Sequence, residues 1–215
     1  MTNHVNIKDI RRSYSLKELN ESSVKKDPFE QFILWMDDTI KSKILDPSAV
    51  ILATANKKAI PSIRVVLLKE IEKDGLIFYT NYGSHKAKDI TENPIASLLF
   101  FWKELERQVR LTGKVEKIFQ KKSEEYFQSR PYDSQLGAVA SRQSSIIPSR
   151  KYLEQKFEEA KAKYKGGKIP LPSFWGGYIL RPFEFEFWQG RESRLHDRVS
   201  YIKKNNNWKI VRLAP

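Results

Sequence analysis

The stretch FEFEF, residues 183–187, alternates apolar and charged side chains without a break. That alternation has the period of a β-strand and not of a helix. Phe183, Phe185 and Phe187 are therefore expected on one face, and that face needs a cover. Strand-like runs recur along the chain: AVILATA (49–55), SIRVVLLK (62–69), LIFYT (76–80), IASLLFFW (95–102), ERQVRLTGKVEKI (106–118), WGGYILRP (175–182), RVSYIKK (198–204) and WKIVRL (208–213). The polar NKKAIP, Asp74-Gly75 and Asn205-Asn206-Asn207 are turn signals between neighbours. Many short strands joined in this way predict a mainly β fold, an antiparallel barrel carrying helices on its outside.

The helices have their own signals. DPFEQFILWMDDTIKSKIL (27–45) begins with Asp27 as N-cap, Pro28 in the first turn and Glu30 as a capping-box partner. Its apolar stripe is expected to be Phe29, Phe32, Ile33, Met36, Ile40 and Ile44. A short helix ends before Pro94, and two or three more follow across 120–165, the first broken by Pro131. Residues 1–26 are polar and read as a flexible N-terminal segment, which leaves 27–215 as one domain.

Several function classes fall away. No apolar run reaches the ~18 residues of a membrane span, and the N-terminus lacks the apolar centre of a signal peptide. The chain has no cysteine, which fits a cytoplasmic protein and removes thiolate chemistry. His4, His85 and His196 lie too far apart in sequence for a metal motif, so no metal is expected. Neither GxGxxG nor GxxxxGKS/T occurs, and Gly176-Gly177 reads as a strand bulge. The net charge of +13 raises nucleic acid as a partner. Against that, no Lys/Arg block of five appears, and the lysines of KYLEQKFEEAKAKYK (151–165) interleave with glutamates. The arginines instead sit in short mixed clusters beside Tyr, Ser, Gln and Trp, a pattern suited to discrete anion pockets.

SIRVVLLK offers Arg64 and Lys69, LIFYTNYGSHK offers Tyr79, Thr80, His85 and Lys86, and RQV offers Gln108. Tyr126 and Arg130, four apart, precede Ser134 beyond the proline, and SRQSS offers Gln143 and Ser144. Together these clusters mix cations with hydroxyl and amide donors and supply two sets of phosphate-type partners. In RESRLHDR (191–198), an extended chain would put Arg194, His196 and Arg198 on one face and Leu195 and Asp197 on the other. Three such groups in a row call for an anionic or electron-rich ligand. A phosphorylated cofactor meeting a phosphorylated substrate satisfies both sets.

RRSY (11–14), RVVLLK, FYTNYGS, LERQVR, YFQSRPYDSQLGAVAS, RQSS, PLPSFWGGY, EFWQG, RLHDR and the terminal RLAP occur in this order over nearly the full chain. With these motifs the chain resembles the pyridoxamine 5′-phosphate oxidase family. The resemblance implies an FMN-binding split β-barrel with peripheral helices, and a homodimer with FMN at the subunit interface. It further implies oxidation of pyridoxamine 5′-phosphate or pyridoxine 5′-phosphate to pyridoxal 5′-phosphate, with O2 as acceptor. By motif, the residues against FMN would be Arg64, Val65, Val66, Leu67, Leu68, Lys69, Tyr79, Thr80, His85, Lys86, Gln108, Gln143, Ser144, Trp188 and Arg198. Lys69, Tyr126, Arg130 and Ser134 would hold the substrate phosphate. Arg194, Leu195 and His196 would flank the substrate ring, with Arg194 and His196 catalytic. Arg11, Arg12, Ser13 and Tyr14 would close over it from the N-terminal segment.

Two features test that assignment. The family usually has arginine where this chain has His85. Arg64 and Lys69 differ in strand parity, so both reach one site only if the strand bulges, twists or spans two ligands there. Two other readings stay open: a split-barrel flavin or haem protein of different chemistry, and a basic nucleic-acid-binding barrel.

Overall fold

The computed structural model describes residues 8, 12–205 and 207–215. In chain order the elements are α1 (Pro28–Lys41), β1 (Ala49–Ala55), β2 (Pro61–Glu72), β3 (Gly75–Asn81), α2 (His85–Glu92), β4 (Ile95–Trp102) and β5 (Arg107–Lys117). There follow α3 (Gln120–Ser129), α4 (Tyr132–Ala140), α5 (Arg150–Lys163), β6 (Trp175–Gln189), β7 (Asp197–Lys204) and β8 (Asn207–Leu213). The strands order as β3-β2-β1-β4-β5-β6-β7-β8, and β3 also pairs β6, which closes the first six into a barrel. The chain divides into two compact units: Ser48–Leu99 with Leu111–Phe183, and residues up to Pro47 with Phe100–Arg110 and Glu184–Pro215.

The first unit holds the barrel. β1 alternates in burial, sending Val50, Leu52 and Thr54 inward. β3 is buried along nearly its whole length, paired with β2 on one side and β6 on the other. Leu76, Ile77, Leu98, Leu111 and Leu180 are fully enclosed. A second cluster gathers Phe127, Leu136, Ala160, Ile169 and Trp175. Gly176 and Gly177 form no bulge: they pair in register with Thr80 and Tyr79. They are glycine because a Cβ at either would collide with the Tyr82 hydroxyl or with Ile118 and Tyr79. The bulge lies elsewhere, in β2, where the register against β3 shifts between Leu68 and Glu70.

The second unit packs α1 against aromatic side chains. Asp27 caps α1 as expected, accepting from the Phe29 N–H at 2.7 Å, but Gln31 rather than Glu30 reaches back, accepting from the Lys25 N–H at 3.0 Å. The buried stripe is Phe29, Phe32, Trp35, Met36 and Thr39, whereas Ile33 and Ile40 are half exposed and Ile44 lies beyond the helix end. The true stripe is therefore rotated toward Trp35. That ring meets Phe187 edge-on at 5.2 Å and carries the Arg107 guanidinium 4.3 Å above it. Phe185 and Phe187 are fully buried and parallel, 6.1 Å apart, but Phe183 is exposed. WGGYILRP and FEFEFWQG form one strand, β6, and the cover over its phenylalanines begins only after residue 183.

Candidate active site

Each unit presents a polar cleft. The larger, about 930 Å³, lies in the barrel unit, walled by β2, β3, α2, α3, α4 and the loop through Ser144. At one end Arg64 donates to the Leu52 carbonyl at 3.1 Å, to Thr54 Oγ1 at 2.7 Å and to Ser62 Oγ at 2.5 Å. Asp89 lies 3.8 Å from the same guanidinium and accepts from Thr54 Oγ1 at 2.7 Å. Burial lowers the Arg64 pKa against the opposing pull of Asp89.

Lys86, on the first turn of α2, is buried there. Its ammonium donates to Gln143 Oε1 at 2.9 Å, to Thr80 Oγ1 at 3.2 Å and to Ser84 Oγ at 3.3 Å. Burial first, and Arg64 second, pull its pKa down to about 8. The His85 N–H donates to Ser144 Oγ at 3.2 Å, and the exposed His85 ring sits 3.4 Å from Ser62 Oγ. A buried ammonium satisfied only by neutral oxygens, with a guanidinium close by, is a site short of negative charge.

The other end is aromatic and cationic. Tyr79 and Tyr126 stack at 3.8 Å, both nearly parallel to Trp175. The Tyr79 hydroxyl donates to Glu70 Oε1 at 2.7 Å, and burial followed by that carboxylate raises its pKa. Arg130 lies 4.8 Å above Trp175, and its Nη1 is buried with no hydrogen-bond partner. Burial also lowers the pKa of this arginine. Ser134 and Lys69 line the same cleft. Arg64 and Lys69 border one cavity despite their opposite parity, because residues of both parities along β2, Arg64 and Val66 as well as Val65, Leu67 and Lys69, line it; the register shift against β3 falls at Lys69 itself.

The second cleft, about 560 Å³, lies in the other unit, between Arg12–Tyr14 and Arg191–His196. The stretch before β7 is not extended. Glu192–Arg194 form a tight turn, with Ser193 and Arg194 in the left-handed region at φ 54° and 61°, and the strand begins at Asp197. This turn removes Arg198 from the common face. Its Nε donates to the buried Glu186 at 2.8 Å and its Nη1 to the Ala214 carbonyl at 2.7 Å. His196 remains beside Arg194, with Tyr14 5.8 Å and Trp188 4.6 Å away between ring centroids. Its Nδ1 accepts from the Arg191 N–H at 3.1 Å. Burial, then Arg194, lower the imidazole pKa, which favours the neutral ring, and because Nδ1 accepts, the proton of that neutral ring lies on Nε2.

The family model described as Pyridoxamine 5'-phosphate oxidase matches residues 36–164, and that described as Pyridoxine 5'-phosphate oxidase C-terminal dimerisation region matches residues 175–215. The chain belongs to the pyridoxine/pyridoxamine 5′-phosphate oxidase family. It is 50% identical to the pyridoxine/pyridoxamine 5′-phosphate oxidase of Rippkaea orientalis, over 98% of this chain and 100% of that one. It is 48% identical to that of Aliarcobacter butzleri, with the same coverage. Among solved structures, PhzG from Burkholderia lata, in complex with tetrahydrophenazine-1-carboxylic acid, superposes with a TM-score of 0.88 at 29% identity, covering 94% of this chain and 100% of that one. A pyridoxamine 5′-phosphate oxidase-related FMN-binding protein from Nostoc punctiforme shares the fold, with a TM-score of 0.68 at 17% identity over 89% of this chain and all of that one.

Of the residues assigned through the family motifs, Arg64, Val65, Val66, Leu67, Lys69, Tyr79, Thr80, His85, Lys86, Gln143 and Ser144 border the barrel cleft. So do Tyr126, Arg130 and Ser134. Leu68 does not: its side chain is buried in the core. Gln108, Trp188 and Arg198 belong to the other unit, as do Arg12, Ser13, Tyr14, Arg194 and His196. Leu195 is exposed, and Arg11 falls outside the described residues. Sequence reasoning missed Ser62, Trp175, Asp89 and Glu70. Trp175 was legible as the aromatic before a glycine pair, but the two carboxylates only gain meaning from the cations that fold against them.

Proposed function

We propose that the chain is an FMN-dependent oxidase that converts pyridoxamine 5′-phosphate or pyridoxine 5′-phosphate to pyridoxal 5′-phosphate. The observation that carries the reading is Arg130 Nη1, a buried cationic donor without an acceptor, in the same cleft as the charge-deficient Lys86. Two anion-seeking groups in one cleft fit two phosphates, one on a cofactor and one on a substrate. FMN fits the donor set: Arg64, Lys86, Gln143 and Ser144 would hold its phosphate, with Thr80 in support. Lys69, Tyr126, Arg130 and Ser134 would take the substrate phosphate.

When bound, FMN supplies a two-electron acceptor that O2 regenerates with release of hydrogen peroxide. The protein's part is positioning and charge. Arg194 would orient the substrate ring, and the Nε2–H of neutral His196 would donate to the ring oxygen. Tyr14 would shield that ring from water. The carbon bearing the amine or alcohol loses a hydride and the heteroatom a proton; with the amine, hydrolysis of the resulting imine releases ammonia.

The chain would act as a homodimer with FMN at the subunit interface. The dimerisation-region match and the exposed Ile63, Val65 and Leu67 on β2 support this. A cytoplasmic setting is part of the same reading, in keeping with a cysteine-free chain.

The test is anaerobic addition of pyridoxamine 5′-phosphate to the FMN-loaded protein, following the oxidised-flavin band near ~450 nm. Bleaching that reverses on admitting air is expected. A yellow protein that does not bleach would point to different flavin chemistry, and failure to retain flavin would reject the reading.

A further inference from the structure

Glu106 follows the short turn Lys103–Leu105 and is 3% exposed. Its backbone sits in the left-handed region at φ 54°, which disfavours side chains other than glycine. A buried carboxylate on a strained backbone is unfavourable unless its oxygens are well used. Both are. Oε1 accepts from Arg12 Nη2 at 3.0 Å, while Oε2 accepts the Ser15 N–H at 2.9 Å and the Leu16 N–H at 3.1 Å.

Between those anchor points lies Tyr14, edge-on to Trp188 at 5.9 Å and to His196 at 5.8 Å. Gly190 completes the arrangement. Its N–H donates to the Glu106 carbonyl at 2.8 Å, and a Cβ there would come within 2.8 Å of Tyr14 Cβ and 3.1 Å of Glu106 Cβ. The next part of the N-terminal segment is held independently. Asp197 accepts the Leu19 N–H at 3.1 Å, and Arg212 donates to Glu21 and to the Leu19 carbonyl.

We propose that Glu106 is a positioning residue: it latches residues 12–16 so that Tyr14 forms one wall of the Arg194/His196 cleft, and thereby sets affinity for the phosphorylated pyridine substrate. This inference rests on the oxidase reading for the identity of the substrate, but the latch itself does not.

Glu106→Gln keeps the volume and puts an amide N–H₂ against one set of donors. The FMN-loaded variant is compared with wild type in three ways: amide hydrogen exchange at Ser15 and Leu16, KM and kcat for pyridoxamine 5′-phosphate, and flavin occupancy. Exchange at both amides should accelerate about tenfold, since two of the three latch bonds are to those amides. KM should rise about tenfold, with kcat within about threefold and flavin occupancy unchanged. Unchanged exchange, or unchanged KM, overturns the proposal. So does a parallel loss of flavin, which would mark Glu106 as a general structural residue.

Should Glu106→Gln fail to fold, Arg12→Ala decides. The Arg12 side chain is largely exposed, and its truncation removes the Oε1 donor together with a 3.4 Å bond to the Lys103 carbonyl, leaving the Ser15 and Leu16 acceptor in place. Faster exchange at Ser15 and Leu16 with raised KM is expected, and unchanged exchange rejects the latch. If wild type does not oxidise pyridoxamine 5′-phosphate, the oxidase reading fails alone, because amide exchange still judges the latch.

Discussion

Arg130 carries opposite consequences for stability and for binding. A buried donor without a partner costs roughly 1–3 kcal/mol, so Arg130→Met should leave the ligand-free protein as stable as wild type or more so. On the proposed assignment the same change would remove a charge-assisted bond of about 1.5–3 kcal/mol to the substrate phosphate, which is about a 10- to 150-fold rise in KM for pyridoxamine 5′-phosphate. Thermal denaturation and steady-state kinetics on one preparation read both; a variant that loses stability and keeps its KM would remove Arg130 from the phosphate site.

Lys86 predicts a pH dependence. Its folded pKa, about 8, lies below the ~10.4 of an unperturbed lysine, so between those values the unfolded state binds more protons. Its contribution to ligand-free stability therefore rises with pH across that window. FMN affinity should move the other way, because the neutral amine above pH 8 no longer attracts a dianionic phosphate. Titrating the apoprotein with FMN at pH 7 and pH 9 should show several-fold weaker binding at the higher pH, and Lys86→Met should flatten the difference.

At the scale of elements, β2 lines the cleft along most of its length and carries one irregularity there. A regular strand would send Arg64 and Lys69 to opposite faces, yet the cleft takes residues of both parities from β2, and the register shifts at Lys69 while Leu68 stays in the core. Nothing in RVVLLK marks the bulge: there is no glycine or proline, and the cause is pairing with β3. The glycines of β5 and β6 act through close approach. A Cβ at Gly113 would strike the Arg181 carbonyl and come within 2.7 Å of Pro182 Cα, and backbone there cannot swing aside. Gly113→Ala should therefore destabilise by about 1–3 kcal/mol, seen as a lower denaturant midpoint with unchanged slope. Chain patterning located β1 to β5 and the helices closely, because each has a strong local period or a breaker. It placed the α1 stripe wrongly, because Ile33 and Trp35 are equally apolar candidates and only the neighbours Phe187 and Arg107 select the tryptophan.

At the scale of the whole molecule, exposure on the barrel points to a partner surface. Ile63 is 72% exposed and shares a strand face with the exposed Val65 and Leu67. Among the described residues no helix is long and apolar enough to cross a membrane. An exposed isoleucine changes monomer stability by no more than about 0.5 kcal/mol when replaced. Ile63→Lys should thus leave folding intact while moving the protein from dimer toward monomer in sedimentation velocity, with weaker flavin retention. A variant that stays dimeric would locate the interface elsewhere.

The sequence by itself determined the barrel, the helical periphery, the family and fourteen of the twenty-one residues that line the barrel cleft, because period, turn chemistry and motif order are local properties of the chain. It did not determine which charges are satisfied. Arg191, Arg194 and Arg198 look alike in RESRLHDR, yet Arg191 pairs with Glu18 at 2.7 Å and Arg198 with Glu186 at 2.8 Å. The left-handed turn at Ser193 and Arg194 separates them, and no alternation rule anticipates a turn without glycine. Glu106 is the same lesson in reverse: an ordinary glutamate in LERQVR becomes a buried anchor only when residues 12–16 fold onto it. Those decisions are tertiary because burial and ion pairing depend on partners dozens of residues away, which local sequence cannot specify.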